Sequence, residues 1–168
     1  MEFRKFDLTL VSADNLPYVL CFGNMKVYAK VSFNGDPKTS MLTNVDTAGG
    51  SNPRWNSTFN YTINKASLRN PGLEVVVKLY CQGNLREVYI GEVKIPVKGL
   101  FDSGRKAKKE LRFNVAGAGD GRLNILYSFG KTFTDQEPSA WKKALKAGLK
   151  VVYVVLVHGT WLVLTGGP

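Results

Sequence analysis

Few of the residues able to do chemistry stand at spacings that would let them do it. The one histidine, His158, lies in an apolar stretch far from any acid, so nothing is at hand to orient it as a general base. No nucleophile–base pair, paired carboxylates or phosphate loop is visible. The Gly-rich run from Gly117 to Gly121 leads into a strand-like segment, whereas a phosphate-binding glycine loop works through a helix N-terminus. Cys21 and Cys81 are 60 residues apart, which gives neither a disulfide framework nor a metal site. Catalysis, a small-molecule substrate and a cofactor are therefore not expected.

What remains is charge and apolar surface. The net charge of +10 is unevenly placed: residues 138–168 hold four lysines and no acid. Such a balance favours anionic partners, lipid headgroups or nucleic-acid phosphate. Single-strand binders interleave basic residues with exposed aromatics on one sheet face. Here Trp55, Phe59, Tyr61 and Phe113 alternate like core residues while the cations sit in loops and tail, so nucleic acid is not expected. The opening MEFRKFDLTLV enters a strand pattern at once, without the apolar region of a signal peptide. Glu2 occupies the place where myristoylation needs a glycine. A cytosolic body with reduced cysteines is the expectation.

The elements that must position these groups are organised around Gly50 to Ile63, GSNPRWNSTFNYTI. Asn52-Pro53 forces a turned or extended backbone. Trp55, Phe59, Tyr61 and Ile63 then share one side of a strand, and an aromatic face of this kind needs a second layer. Phe6, Leu8 and Leu10 alternate before it, as do Val27, Ala29, Val31 and Phe33, and a short strand is placed near Thr39 to Thr43. After Asn70-Pro71-Gly72 come Leu73, Val75, Val77 and Leu79, then Tyr89, Val93 and Ile95 up to Pro96, then Leu111, Phe113 and Val115, and finally RLNILYSF. No helical periodicity precedes residue 138. The expected fold is all-β, an eight-stranded antiparallel β-sandwich over residues 1–130, with a linker at 131–140 and a basic, apolar tail at 141–168.

The order of these features resembles a C2 domain: an opening strand, the Asn15-Leu16-Pro17 loop, the Asn52-Pro53-Arg54-Trp55-Asn56 turn, and Ile90-Gly91-Glu92 before Pro96. The resemblance covers about residues 3–129 and is nearest to the small plant C2 proteins associated with cold and defence responses. Many C2 domains hold calcium between loops at one end of the sandwich with several Asp carboxylates, because calcium takes six to eight oxygen ligands. This chain departs from that pattern. Met25-Lys26-Val27-Tyr28 puts a cation where the resemblance implies a ligand, the third-loop positions fall near Cys81 and Gly83, and only Glu87 keeps an acid there. Asp14, Asp36 and Asp46 read as turn residues. No metal is expected. The basic sheet face of the family maps onto Lys30 and Lys38 only.

The tips still pair apolar side chains with cations, so the expected lipid contacts are Tyr18, Leu20 and Phe22 with Lys26 and Arg86. Against this stands a reading in which Leu16, Leu20 and Phe22 fold back to plug the end of the sandwich. The run Arg105, Lys106, Lys108 and Lys109 is a second patch for headgroups or a protein, or a solvated loop. In the tail, Trp141, Leu145, Leu149 and Val152 stand at helical spacing while Lys142, Lys143, Lys146 and Lys150 take other faces, the pattern of a basic interfacial helix. Val151 to Leu164 is short for a membrane span and equally permits two strands about His158-Gly159. An interfacial or inserted tail, extra strands on the sandwich, and disorder all stand open. The expected function is a non-catalytic, calcium-independent module peripheral on an anionic phospholipid membrane, the cytoplasmic side of the plasma membrane or an endomembrane. A protein-interaction adaptor, or calcium-dependent phospholipid binding, is the alternative.

Overall fold

A computed structural model describes residues 2–20, 22–107, 109–134, 151–157 and 160–166. Eight strands appear where alternation placed them: β1 (Glu2–Asp14), β2 (Val27–Phe33), β3 (Met41–Leu42), β4 (Arg54–Asn64), β5 (Glu74–Gln82), β6 (Glu87–Pro96), β7 (Leu111–Asn114) and β8 (Arg122–Thr134). They form two layers of four, β4-β1-β8-β7 facing β3-β2-β5-β6, with every pair among these eight antiparallel. β8 runs to Thr134, past the boundary expected at residue 130.

The tail adds strands to this frame. β9 (Val151–Val157) and β10 (Thr160–Gly166) form an antiparallel hairpin, and β9 joins the free edge of β4 in parallel, opposite Thr62 and Ile63. That layer is therefore six-stranded, in the order β10-β9-β4-β1-β8-β7. Val152, which helical spacing grouped with Trp141, Leu145 and Leu149, lies in β9 and is buried together with Val154. Trp141, Leu145 and Leu149 lie outside the described residues. Among the described residues no helix is long and apolar enough to cross a membrane.

The core fills from both inner faces. Phe6 stacks on Phe129 at 4.8 Å, and Phe33 of the opposite layer meets Tyr61 edge-on at 4.6 Å, which is how offset and edge-to-face ring pairs join two sheets. Trp55 is buried, and its indole N–H donates to the Val27 carbonyl at 3.0 Å, tying β4 to β2 across the layers. Asn56, one residue on, takes φ +47° where the β1 register slips between Leu10 and Ser12. A bulge residue with positive φ suits Asn, whose short side chain tolerates that region.

Two local expectations need correction. Tyr89 does not alternate inward with Val93 and Ile95: the register slips between Leu79 and Tyr80, a bulge at Ile90 reverses the parity, and Tyr89 stands 49% exposed. Gly91 beside it carries no side chain because a Cβ there would sit 2.5 Å from the Ala116 carbonyl of the turn crossing β6. A six-residue helix, α1 (Val97–Asp102), also appears in the segment read as free of helix. It buries Val97 and Leu100, three apart on one face, and carries the i,i+4 ion pair Lys98–Asp102.

Candidate functional site

β1 and β5 end, and β2, β4 and β6 begin, at the same pole of the sandwich, so the loops 15–26, 43–53 and 83–86 converge there. Backbone bonds lock them to one another. Leu16 N–H donates to Ser51 O at 3.0 Å, Val27 and Asp46 exchange a pair at 3.0 and 2.9 Å, and Gln82 N–H donates to Lys26 O at 2.8 Å. The Pro53 turn is part of this lock: Asn15 N–H donates to the Asn52 side-chain oxygen and Ala13 N–H to the Pro53 carbonyl, both at 3.0 Å. Side chains projecting from this pole therefore stand on a braced base.

The apolar residues of the first loop divide between the two readings. Leu16 is the plug, 3% exposed, and Leu20 is half-buried against the core. Phe22 does not fold back. It is 87% exposed, and Tyr18 is 56% exposed. Across from it Leu85 is 99% exposed, a residue the sequence reading passed over. Its signal was there, a leucine standing between the turn residues Gly83-Asn84 and Arg86, with no strand to claim it.

Lys26 and Arg86 are both exposed at this pole. A cleft of about 430 Å³ runs between Leu20, Phe22, Lys26, Thr47 and Asn84. A second groove, about 330 Å³, is lined by Val19, Leu20, Phe22, Leu85, Arg86 and Val88. Leu20 and Phe22 line both, so the apolar tip has one cation on either flank.

The acids near the tip are engaged elsewhere. The Asp46 carboxylate accepts backbone N–H groups of Ala48 (2.8 Å), Gly49 (3.1 Å) and Arg54 (2.7 Å). Partial burial pushes its pKa up, and those three donors outweigh burial and hold the carboxyl below its ordinary value. A Cβ on Gly49 would lie 2.5 Å from that carboxylate, so only glycine lets the turn close around it. Glu87 accepts a hydrogen bond from the Tyr28 hydroxyl on the outer face of the β2-β5-β6 sheet. Burial, then this bond, pushes the Tyr28 phenol well above the usual tyrosine range. Asp36 caps the short 3₁₀ turn Pro37–Thr39, and Asp14 accepts from the Asn124 amide at 2.6 Å. Among the described residues no three His, Cys, Asp or Glu side chains gather where they could hold a metal.

Of the other expected lipid contacts, Arg105, Lys106 and Lys109 do not join this pole. Residues 105–107 run beside β8, with Ala107 N–H donating to Tyr127 O and Phe129 N–H to Arg105 O. Arg105 and Lys106 are exposed there, as is Lys109 just beyond. β8 starts at the tip with Arg122, so at ~3.3 Å per residue this patch lies roughly 20 Å down the sandwich. Lys108, Lys142, Lys143, Lys146 and Lys150 lie outside the described residues. Lys38 stands on the 3₁₀ turn at the far pole, while Lys30 packs over the Tyr80 ring at 5.4 Å. Its sheet neighbour Lys78 stands opposite Glu92, and Lys94 shares that surface with Glu74, so the outer face mixes both signs of charge.

The C2 domain family profile matches residues 4–113. The chain belongs to the C2 domain family. Over 80% of its length this C2 chain is 33% identical to "Protein SRC2 homolog" of Arabidopsis thaliana, and over 90% it is 31% identical to "Protein SRC2" of Glycine max. It spans 43% and 54% of those proteins, about half the length of the curated relatives it matches. Among solved structures, a C2 domain of plant extended synaptotagmin 1 superposes with a TM-score of 0.58 at 19% identity, covering 78% of this chain and 96% of that domain. At that identity the likeness speaks for the fold.

Proposed function

We propose that this C2 domain is a non-catalytic, calcium-independent module that attaches peripherally to anionic membranes through its loop pole, in plant stress or defence signalling. One observation carries the reading: Phe22 and Leu85, 87% and 99% exposed, project from a braced pole between Lys26 and Arg86. Apolar side chains that no core claims gain by entering the headgroup boundary, and each cation near an anionic surface adds ~1 kcal/mol. Tyr18 and Leu20 widen the apolar tip. Calcium independence is supported by where the acids go, Asp46 to three backbone amides and Glu87 to Tyr28. Arg105, Lys106, Lys108 and Lys109 serve as a lateral basic patch, and the tail lysines Lys142, Lys143, Lys146 and Lys150 strengthen attachment, since a single weak anchor gives only marginal binding.

Co-sedimentation of the full chain with phosphatidylserine-rich and phosphatidylcholine-only vesicles, in calcium and in chelator, tests this. Binding to the anionic vesicles that ignores chelator and falls on Lys26→Glu/Arg86→Glu is the expected result. Calcium-dependent binding overturns the assignment of Asp46 and Glu87. No binding to either vesicle leaves the adaptor reading, which one observation favours: Leu42, Tyr80 and Tyr89 form a ring-rich outer face on the β3-β2-β5-β6 sheet, with Tyr80 and Tyr89 edge-on at 5.7 Å.

A further inference from the structure

The loop pole and the tail hairpin lie at opposite ends of the sandwich. β4 leaves the loop pole at Arg54 and meets β9 at Thr62 and Ile63, which at ~3.3 Å per residue is roughly 26 Å away. There β9 lies beside the 3₁₀ turn Ser67–Arg69 and β10 beside Pro37–Thr39, both of which follow strands that end at the far pole. A hairpin docked in this way cannot share a bilayer surface with Phe22 and Leu85. We propose that the β9–β10 hairpin is a releasable cover on the β4 edge, docked on the chain's own sandwich in solution and surrendered to an anionic bilayer on binding. The proposal rests on the membrane reading above and concerns what the tail does within it.

Three features carry it. Residues 151–166 contain no Asp, Glu, Lys or Arg, so the segment suits either apolar surface, sandwich or lipid. Val152 and Val154 are fully buried in the sandwich and cannot contact lipid while docked, which makes the two surfaces competitors for one segment. Among the described residues the ladder to β4 is brief, Thr62 with Tyr153 and Ile63 with Val154, and a two-pair parallel ladder is a weak hold for a strand. The reach is adequate as well. Sixteen residues, 135–150, separate β8 from β9, and a chain of that length extends to about 50 Å, beyond the pole-to-pole distance.

A disulfide lock tests the cover. Thr62→Cys and Tyr153→Cys, opposite one another in the ladder, are introduced in a Cys21→Ser background, and each preparation is compared oxidised and reduced on phosphatidylserine-rich vesicles. Locking is expected to weaken binding by about tenfold, because the loop pole is left as a single anchor without the tail's added apolar contact, and reductant is expected to restore it. Equal binding in both states overturns the cover while leaving the membrane reading intact. Absence of binding in both states overturns the membrane reading and the cover with it. Should the double variant fail to fold, hydrogen exchange on the native chain decides. Amides of 60–64 and 151–157 that lose protection when vesicles are added support release, and unchanged protection overturns it.

Discussion

The two poles of this sandwich use the same kinds of residue to opposite ends. At the loop pole, apolar side chains stand in solvent on a base of cross-loop hydrogen bonds, with Phe22 and Leu85 almost wholly exposed. At the far pole an uncharged, β-branched segment folds back, and Val152 and Val154 are fully buried. Hydrophobicity did not decide which segment was covered. The difference lies in the partner: β4 offers an edge beside the tail that β9 completes, and an unpaired edge is a ready template for another strand. On the reading proposed above, one pole attaches to a surface and the other covers itself.

The largest way to break that contrast is Phe22→Asp/Leu85→Asp. If each side chain contributes ~1.4 kcal/mol of partial burial at the headgroup boundary, vesicle affinity falls by about 100-fold. Both residues are exposed, so the unfolding free energy measured in urea should stay within ~0.5 kcal/mol of the parent. A comparable loss of stability would mean that the tip is structural and the contrast false. The far pole calls for the opposite signature. Val154→Asp places an uncompensated charge where the side chain is fully buried, and release of the hairpin is expected at a cost of about 2 kcal/mol. Limited proteolysis should then cut within 151–166 while vesicle binding through the loop pole survives.

How much of this was legible in the sequence follows from what each feature depends on. The eight strands could be read because inward residues repeat at period two in β1, β2, β4 and β5, and the NPRW turn could be read because proline dictates backbone. Tyr89 was misplaced because a bulge at Ile90 reverses parity, and no local pattern announces the bulge apart from Gly91, whose need for empty space comes from Ala116 twenty-five residues away. Helix α1 escaped because six residues complete fewer than two turns, too short for a period to show. Leu85 escaped because exposure is a property of the loop's surroundings. The tail was ambiguous for a physical reason: a short apolar run rich in valine fits helix, strand or lipid, and what selects β9 is the vacant edge of β4, a tertiary fact.

The bracing of the loop pole can itself be sharpened through Asp46. Its folded-state carboxyl is held below the ordinary value by three backbone donors acting against burial, so the sign follows from linkage: its contribution is present above the unfolded carboxyl value, near pH ~4, and is lost as pH falls through the lowered folded one. Asp46→Ala is expected to cost about 1–2 kcal/mol at pH 7. The gap between variant and parent should close on acidification below pH ~4. Urea unfolding across that range measures it, and a gap that persists at low pH would assign the loss to packing in place of the carboxylate.

The smallest expected effect separates the loop pole from the sheet face beside it. Tyr28→Phe removes the hydroxyl that donates to Glu87 and leaves the phenyl ring to stack on Tyr80, whose centroid is 5.6 Å away. Because Glu87 is exposed, water replaces the lost donor, and the cost should stay below about 1 kcal/mol. The informative reading is calcium. Freed from Tyr28, Glu87 stands at the start of β6 next to Arg86, with Lys26 at the same pole, and a lone carboxylate among cations falls far short of six to eight oxygen ligands. Titration calorimetry of Tyr28→Phe should show no calcium binding. Heat appearing in the variant but not in the parent would make the Tyr28 bond a lock on a calcium ligand, and would move Glu87 from the sheet face to the loop pole.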